Sequence, residues 1–273
     1  MKEKTKRILL VVFAIIFFAA SFYIIYNEYK MNREEKRIEE LQQSIERNPV
    51  SVGIINEQPE MQEEVLENEE TEVQEPVILL QYEDLYQKNQ DLIGWIKIDD
   101  TPIDYPVMQT SGETAEENMF YINHDFDKNE SKQGLPLIDV RCTLDSENII
   151  IYAHRMKNGT MFGSLKLYQE KSYYDEHQII KFDTLYEESE YQIIAVLLAQ
   201  VFYDEEPSKD EFVFYDYVEM DSEELFQEYV NQVKQRSLYD TGVTAEYGDK
   251  LITLCTCNYH VKDGRLLVVA KKI

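Results

Sequence analysis

The chain has few cysteines for its length and few positive charges for its acidity. Three cysteines in 273 residues do not make a disulfide framework, so each thiol is either catalytic or simply buried. Lys and Arg total 27 against 53 Asp and Glu, giving a formal net charge of −26. This excess of negative charge argues against nucleic acid as a partner. Only nine glycines beside 20 tyrosines favour a β-containing globular domain over a disordered chain.

The N-terminal region contains an apolar run, residues 8–26, which is 19 residues without a charge. About 20 such residues cross a bilayer as a helix. A cleaved signal peptide is the alternative, but this run is longer than a typical signal core and more apolar residues follow Ala19-Ala20-Ser21. We therefore predict an uncleaved membrane anchor. Basic residues flank it equally, and the tighter cluster at 1–7 weakly favours a cytoplasmic N-terminus.

A stalk is predicted after the anchor, over residues 27–76. Its first part has Ile38, Leu41 and Ile45 on one helical face, which predicts a short juxtamembrane helix. Residues 57–76 contain nine glutamates and no Lys or Arg, which is typical of a self-repelling spacer. The folded domain is then predicted to span residues 77–273.

Many short strands with a few inserted helices are predicted in this domain, which indicates a barrel or a sandwich. One helix is expected at 78–92. Another is expected at Ser222–Arg236, with Asp221 and Glu224 as its capping box, and a shorter one is expected after Thr160. The predicted strands are Trp95–Ile98, Ile103–Val107, Leu135–Val140, Ile149–Ala153, Ile179–Phe182, Tyr191–Phe202, Leu251–Cys257 and Leu266–Ala270.

Three residues at strand ends carry candidate chemistry. Cys257 ends one apolar run, Arg265 opens the next, and His154 follows a third. A thiol beside a general base attacks carbonyl carbon, and a fixed guanidinium or nearby N–H groups at Thr256 and Cys257 stabilise the oxyanion that forms. The alternative is a buried, inert cysteine, which is the commoner fate of a thiol in a strand.

The motifs around these residues resemble those of the sortases, and of their class B branch in particular. Thr253-Leu254-Cys255-Thr256-Cys257 resembles the TLxTC signature, with Arg265 opening the strand after it. The class B likeness rests on GWIKI at 94–98, IDYPV at 103–107, YINHDF at 121–126, NIIIYAHRMKNGTMFGSLK at 148–166, and the helix at 222–236. The resemblance covers residues 78–273 and implies an eight-stranded β-barrel.

The resemblance implies a membrane-anchored cysteine transpeptidase of Gram-positive cell surfaces. Such an enzyme cleaves a Thr–Gly or Thr–Asn type bond in the C-terminal sorting signal of a surface protein, forms a thioacyl-enzyme, and passes the acyl group to an amine of lipid II or the peptidoglycan cross-bridge. No cofactor or metal is implied. By motif, the nucleophile is Cys257, the general acid/base is His154, and the oxyanion stabiliser is Arg265. The substrate-binding residues would be Asn118, Ile122, Cys255 and Thr256.

Two positions depart from the family pattern. Cys255 stands where class B enzymes usually have Ser, on the same strand face as Cys257 because side chains alternate with period 2. Ala153 replaces the usual Gly before His154. Neither change removes a catalytic group.

Other readings of the chain stay open. They are a pilus-polymerising sortase, a membrane-tethered binding module and an extracytoplasmic redox protein that uses Cys-x-Cys. A zinc site at Cys255, Cys257 and His260 lacks a fourth ligand nearby in the sequence.

Overall fold

The computed structural model describes residues 2–47, 77–112, 114–203, 207–208 and 211–273. These residues belong to two compact units, Met1–Ser44 and Ile45–Ile273. The acidic spacer predicted at 57–76 lies outside the described residues, so its conformation stays a prediction.

The first unit is formed by one long helix, α1, which spans Lys2–Arg47. Within the described part of the chain, this is the one helix long and apolar enough to cross a membrane by length and composition. Its apolar side chains between Ile8 and Tyr26 are exposed. The juxtamembrane helix expected from the sequence is present as a continuation of α1. No Pro or Gly interrupts the chain between Tyr26 and Arg47, and Arg37 pairs with Glu40 one turn on, at 3.2 Å.

The second unit contains a closed β-barrel of eight strands among the described residues, which confirms the predicted architecture. The strand order around the barrel is β1-β2-β3-β4-β7-β8-β6-β5, and β5 pairs with β1 to close it. The strands are β1 Leu92–Lys97, β2 Asp104–Met108, β3 Leu137–Ile138, β4 Asn148–Tyr152, β5 Ile179–Thr184, β6 Glu190–Gln200, β7 Leu251–Cys257 and β8 Gly264–Lys272.

Two strand pairs are parallel, β2 with β3 and β4 with β7. Parallel strands are usually buried on both faces and therefore read as continuous apolar runs. The run Ile149–Ile151 of β4 and the run Leu251–Leu254 of β7 are buried along their whole length. Because β4 and β7 run in the same direction, their carboxyl ends reach the same edge of the barrel.

Short helices join the strands. The first, α2, ends at Lys88 rather than at the predicted residue 92, because Asn89 is extended and Leu92 already begins β1. The shorter helix expected after Thr160 is a 3₁₀ helix followed by α4. The helices of the second unit are α2 Leu80–Lys88, α3 Ala115–Asn118, α4 Lys171–Glu176 and α5 Glu223–Arg236, with 3₁₀ helices at Phe120–Asn123, Phe162–Gln169 and Phe214–Asp216.

The long insertion between β6 and β7 contains α5, which packs on β6 and reaches β4 and β7 through Tyr229. The Tyr229 hydroxyl lies 2.8 Å from the hydroxyl of Thr253 on β7, which itself donates to Asn148 Oδ1 on β4 at 2.8 Å. The Asn148 amide donates to the Tyr217 carbonyl at 2.9 Å. All three side chains are fully buried, so their polar atoms are satisfied by one another. This cluster fixes α5 on the two strands that lead to the site.

The N-terminal cap of α5 is Ser222, not the predicted Asp221. The Ser222 hydroxyl accepts a hydrogen bond from the Leu225 N–H at 3.3 Å, and Ser222 has the extended backbone usual for a cap. The Asp221 carbonyl instead accepts from the Tyr247 hydroxyl.

We therefore predict that Ser222→Ala lowers the free energy of unfolding by about 1 kcal/mol, the usual value of a Ser cap. The neighbouring Asp221→Ala is the matched control and should cost only a few tenths of a kcal/mol through the helix dipole. Urea titration of the full chain in detergent, followed by the fluorescence of the single tryptophan, Trp95 in β1, measures both. A larger loss for Asp221→Ala would contradict the assigned cap.

Candidate active site

The carboxyl ends of β4 and β7 bring His154 and Cys257 to matching positions. In the parallel ladder Tyr152 pairs with Cys255, and the next backbone bond runs from the Ala153 N–H to the Cys255 carbonyl at 3.3 Å. The Thr256 hydroxyl donates to the Ala153 carbonyl at 2.8 Å and holds the two ends together. His154 and Cys257 each lie two residues beyond the paired Tyr152 and Cys255, so they come to the same edge of the sheet.

Cys257 is the last residue of β7 and faces Arg265 across the ladder. The two residues are direct partners in the antiparallel pairing of β7 with β8. The Cys257 thiol is free and half-buried, whereas Cys142 and Cys255 are free and buried. Cys257 is therefore the most accessible of the three thiols.

The guanidinium of Arg265 is held by three hydrogen bonds. One terminal nitrogen donates to the carbonyls of Asp263 at 3.2 Å and Gly264 at 3.0 Å, and the other donates to the Tyr203 hydroxyl at 2.9 Å. Its electrostatic neighbours include the thiols of Cys255 and Cys257. The site thus has a fixed positive charge beside its accessible thiol.

Cys255 is almost completely buried, and Tyr152 and Arg265 are among its electrostatic neighbours. Burial raises the pKa of its thiol well above the ordinary range, and the nearby positive charge of Arg265 only partly opposes this. Cys255 is therefore a neutral thiol at physiological pH. Although it lies on the strand face of Cys257, it does not supply a second thiolate.

The sequence analysis did not identify Asp139, a charged residue whose side chain bonds to Tyr152 near the site. Asp139, just after β3, accepts two hydrogen bonds from the Arg141 guanidinium, at 2.8 and 2.7 Å, and one from the Tyr152 hydroxyl at 3.0 Å. Burial alone would raise the pKa of Asp139, but these bonds outweigh it and lower that pKa. The short Asp139-x-Arg141 spacing was the one signal in the sequence, and nothing in it linked these residues to Tyr152.

The main-chain carbonyl of Ile122 lies near the imidazole of His154 and favours its protonated form. Burial lowers the pKa of His154, and the Ile122 carbonyl opposes that shift only in part. The neutral imidazole is thus favoured at neutral pH. Because the folded state disfavours the imidazolium, this histidine contributes stability that is lost as the pH falls below its unfolded pKa of about 6.5.

The four residues expected to bind substrate have different surroundings. Asn118 is half-buried, and its side chain accepts a hydrogen bond from the Gly112 N–H at 3.2 Å within its own loop. Ile122 is half-buried beside His154. The side chains of Cys255 and Thr256 are buried, at 1% and 2% exposure, so only their main chain is available to a peptide. Substrate contact at these residues stays a prediction.

No group of three or more His, Cys, Asp or Glu side chains that could hold a metal ion is found in the described residues. His260 bonds to the Asn258 side chain in the turn between β7 and β8, through its Nδ1 at 3.2 Å. The strand register places Arg265 opposite Cys257 and His154 at the same edge of the sheet.

This arrangement at the edge of a closed barrel is that of a cysteine enzyme which transfers acyl groups. A family model described as the sortase domain matches residues 96–273. The chain therefore belongs to the sortase family and is a cysteine transpeptidase.

Individual relatives agree with this assignment. The chain is 32% identical to sortase B of Staphylococcus aureus over 197 residues, covering 71% of this chain and 75% of the relative. It is also 32% identical to sortase B of Listeria monocytogenes over 196 residues, covering 70% and 73%.

Solved structures are similar as well. A substrate complex of S. aureus sortase B has a TM-score of 0.69 at 26% identity and covers 90% of this chain and 98% of its own. Sortase B of Bacillus anthracis in complex with AAEK1 has a TM-score of 0.68 at 27% identity, with the same coverage.

The position of the Ile122 carbonyl yields a test at Gly134. Gly134 has φ +59°, and a Cβ there would collide with the Ile122 carbonyl. Gly134→Ala should therefore displace this acceptor from the imidazole and lower the pKa of His154 further, since the acceptor favours the imidazolium. An NMR titration of the His154 ring, assigned with His154→Gln, measures the shift.

The matched control is Gly242→Ala. Gly242 also has a positive φ, +73°, but a Cβ there meets nothing within 4 Å. Both variants carry the same kind of backbone strain, of about 1–2 kcal/mol. An unchanged His154 pKa in folded Gly134→Ala, or an equal shift in Gly242→Ala, would contradict the role of the Ile122 carbonyl.

Proposed function

We propose that Cys257 is the nucleophile that cleaves the C-terminal sorting signal of a surface protein at a Thr–Gly or Thr–Asn type bond. The observation that supports this most directly is the register of three strands. The β7–β8 ladder pairs Cys257 with Arg265, and the β4–β7 ladder leads to His154 beside them. A nucleophile, a proton carrier and a positive charge then surround one reacting carbonyl.

In the first half of the reaction the Cys257 thiolate attacks the Thr carbonyl carbon. A C–S bond forms, the peptide C–N bond breaks, and the imidazolium of His154 gives its proton to the leaving amine. The lowered pKa of His154 means that most molecules hold a neutral imidazole at neutral pH. The pair of thiolate and imidazolium is then a minority form, so we expect slow turnover and a bell-shaped pH profile that belongs to the coupled pair.

Arg265 is proposed to stabilise the oxyanion of the tetrahedral intermediate. Its hydrogen bonds to Asp263, Gly264 and Tyr203 fix the guanidinium before substrate arrives. A charge that is already oriented needs no reorganisation as the oxyanion forms, which is why such groups contribute strongly to catalysis.

In the second half an amine of lipid II or the peptidoglycan cross-bridge attacks the thioester. A C–N bond forms, the C–S bond breaks, and His154 takes the proton of the amine as Cys257 leaves as a thiolate. No cofactor takes part. We further propose that residues 8–26 anchor the enzyme in the cell membrane, with residues 1–7 in the cytoplasm, residues 27–76 as stalk and residues 77–273 as an extracellular domain.

The thioacyl intermediate can be tested by intact mass spectrometry of the full chain in detergent, incubated with a panel of sorting pentapeptides. We expect an adduct of the acyl fragment on the wild type and none on Cys257→Ala. Cys255→Ser is the matched control, because it removes the neighbouring thiol on the same strand face and should keep the adduct. An adduct that persists in Cys257→Ala, or that disappears only in Cys255→Ser, would contradict the assignment.

The role of Arg265 is tested by Arg265→Ala. We expect kcat/KM for peptide cleavage to fall by about 10²–10³, the usual effect of losing an oxyanion donor. Arg265→Lys keeps the charge without the planar group and should lie between that variant and the wild type. Arg265→Ala with a rate near that of the wild type would exclude the proposed role.

A further inference from the structure

The segments that form the site lack acidic residues in an otherwise acidic chain. The chain has 53 Asp and Glu, yet none lies in 148–169, which includes β4 and the loop after it. None lies in 250–262 either, and Asp263 is the only one between 250 and the last residue. The two loops that follow His154 and Cys257 therefore differ in charge from the chain as a whole.

These two loops carry three cations and contact each other. The Arg155 guanidinium lies 5.3 Å from the centre of the Tyr259 ring, in the geometry of a cation–π contact. Arg155 and Tyr259 follow His154 and Cys257 by one and two residues, so the contact lies next to the site. Lys157 is exposed, and Lys262 is 75% exposed.

Arg155 and Lys157 differ from most other cations of the folded domain. Among the described residues, no carboxylate pairs with Arg155 or Lys157, and Lys262 has only its neighbour Asp263, at 3.9 Å. In the rest of the domain, cations commonly have a carboxylate partner within 4 Å. Those with such a partner are Lys97, Lys128, Arg141, Lys171, Lys181, Lys234, Lys250, Lys271 and Lys272.

Arg155, Lys157 and Lys262 give these two loops a net positive charge, because the one carboxylate paired with them among the described residues is Asp263, beside Lys262. Such a region attracts anions and raises their local concentration. The amine that leaves in the first half-reaction and the amine that enters in the second both exchange a proton with His154. The entering amine therefore reaches the loop that begins at His154 and carries Arg155 and Lys157.

We propose that Arg155, Lys157 and Lys262 form an anion-binding rim for the acceptor, which recognises a carboxylate or phosphate carried by the attacking amine. This inference rests on the function proposed above. Tyr259 holds the Arg155 guanidinium over its ring and so keeps one cation of the rim in place. The acceptor is thus an amine with a negative group within reach of its nitrogen, rather than a neutral amine.

The rim can be tested with two matched pairs of acceptors and the full chain in detergent. The first pair is triglycine and triglycine amide, which differ by a carboxylate. The second pair is O-phosphoethanolamine and ethanolamine, which differ by a phosphate. The donor is the sorting pentapeptide that forms the thioacyl adduct, and the readout is kcat/KM for the amide product with each amine.

We expect the wild type to prefer the charged member of at least one pair. In Lys157→Gln/Lys262→Gln the ratio of charged to neutral acceptor should fall by about three- to tenfold, the size expected for two exposed ionic contacts. Because the ratio in the variant is compared with the ratio in the wild type for the same two amines, the difference in basicity between the amines cancels. The preference should also weaken at high ionic strength, because exposed charges are screened by salt.

Lys88→Gln is the matched control, since it removes one exposed cation from α2, outside the two loops, and should leave the ratio unchanged. A loss of preference in the carboxylate pair identifies a carboxylate ligand, and a loss in the phosphate pair identifies a phosphate. If the wild type forms the thioester but has the same kcat/KM with both members of each pair, the proposed anion-binding rim is excluded. A wild type that forms no thioester with any peptide overturns the proposed function itself.

Discussion

The parallel pairing of β4 with β7 is the constraint on which the rest of the site depends. These strands are separated in the sequence by the whole stretch from Ala153 to Lys250, yet their ladder sets Tyr152 against Cys255. The side chains of Asn148 and Thr253 tie the strands at one end, and Thr256 ties them at the other. A shift of this ladder by one residue would turn the face of one strand away from that of the other.

The two neighbouring thiols differ in how deeply they are buried, and this difference affects their chemistry. Cys255 and Cys257 are two residues apart on one strand face, and Arg265 lies near both. Full burial keeps Cys255 neutral, whereas Cys257 lies at the end of β7 and is half-buried. Cys255 therefore contributes a buried, weakly polar group to the core and no second thiolate.

The two sides of the site differ in electrostatics. Behind it, Asp139 is paired with Arg141 and bonded to Tyr152, so its negative charge is compensated within the fold. In front, Arg155 and Lys157 have no carboxylate partner among the described residues. A compensated interior with an uncompensated rim is the pattern expected where a surface is kept ready for a charged ligand, since pairing the rim internally would cancel its field.

The apolar runs by themselves determined most of the strands. The predicted strand Leu251–Cys257 matches β7 at both ends. A buried strand has a continuous apolar sequence, and a polar turn follows it. The motifs likewise singled out Cys257, His154 and Arg265, and the architecture of the barrel. The predicted end of α2 and the predicted cap of α5 were wrong. Several neighbouring residues can occupy these positions, and the backbone conformation determines which one does. Only the tertiary structure showed that the Ile122 carbonyl meets His154, that Asp139 holds Tyr152 and that Arg155 lies over Tyr259. These contacts join residues from different loops, and their distances depend on the closure of the barrel, which no local pattern encodes.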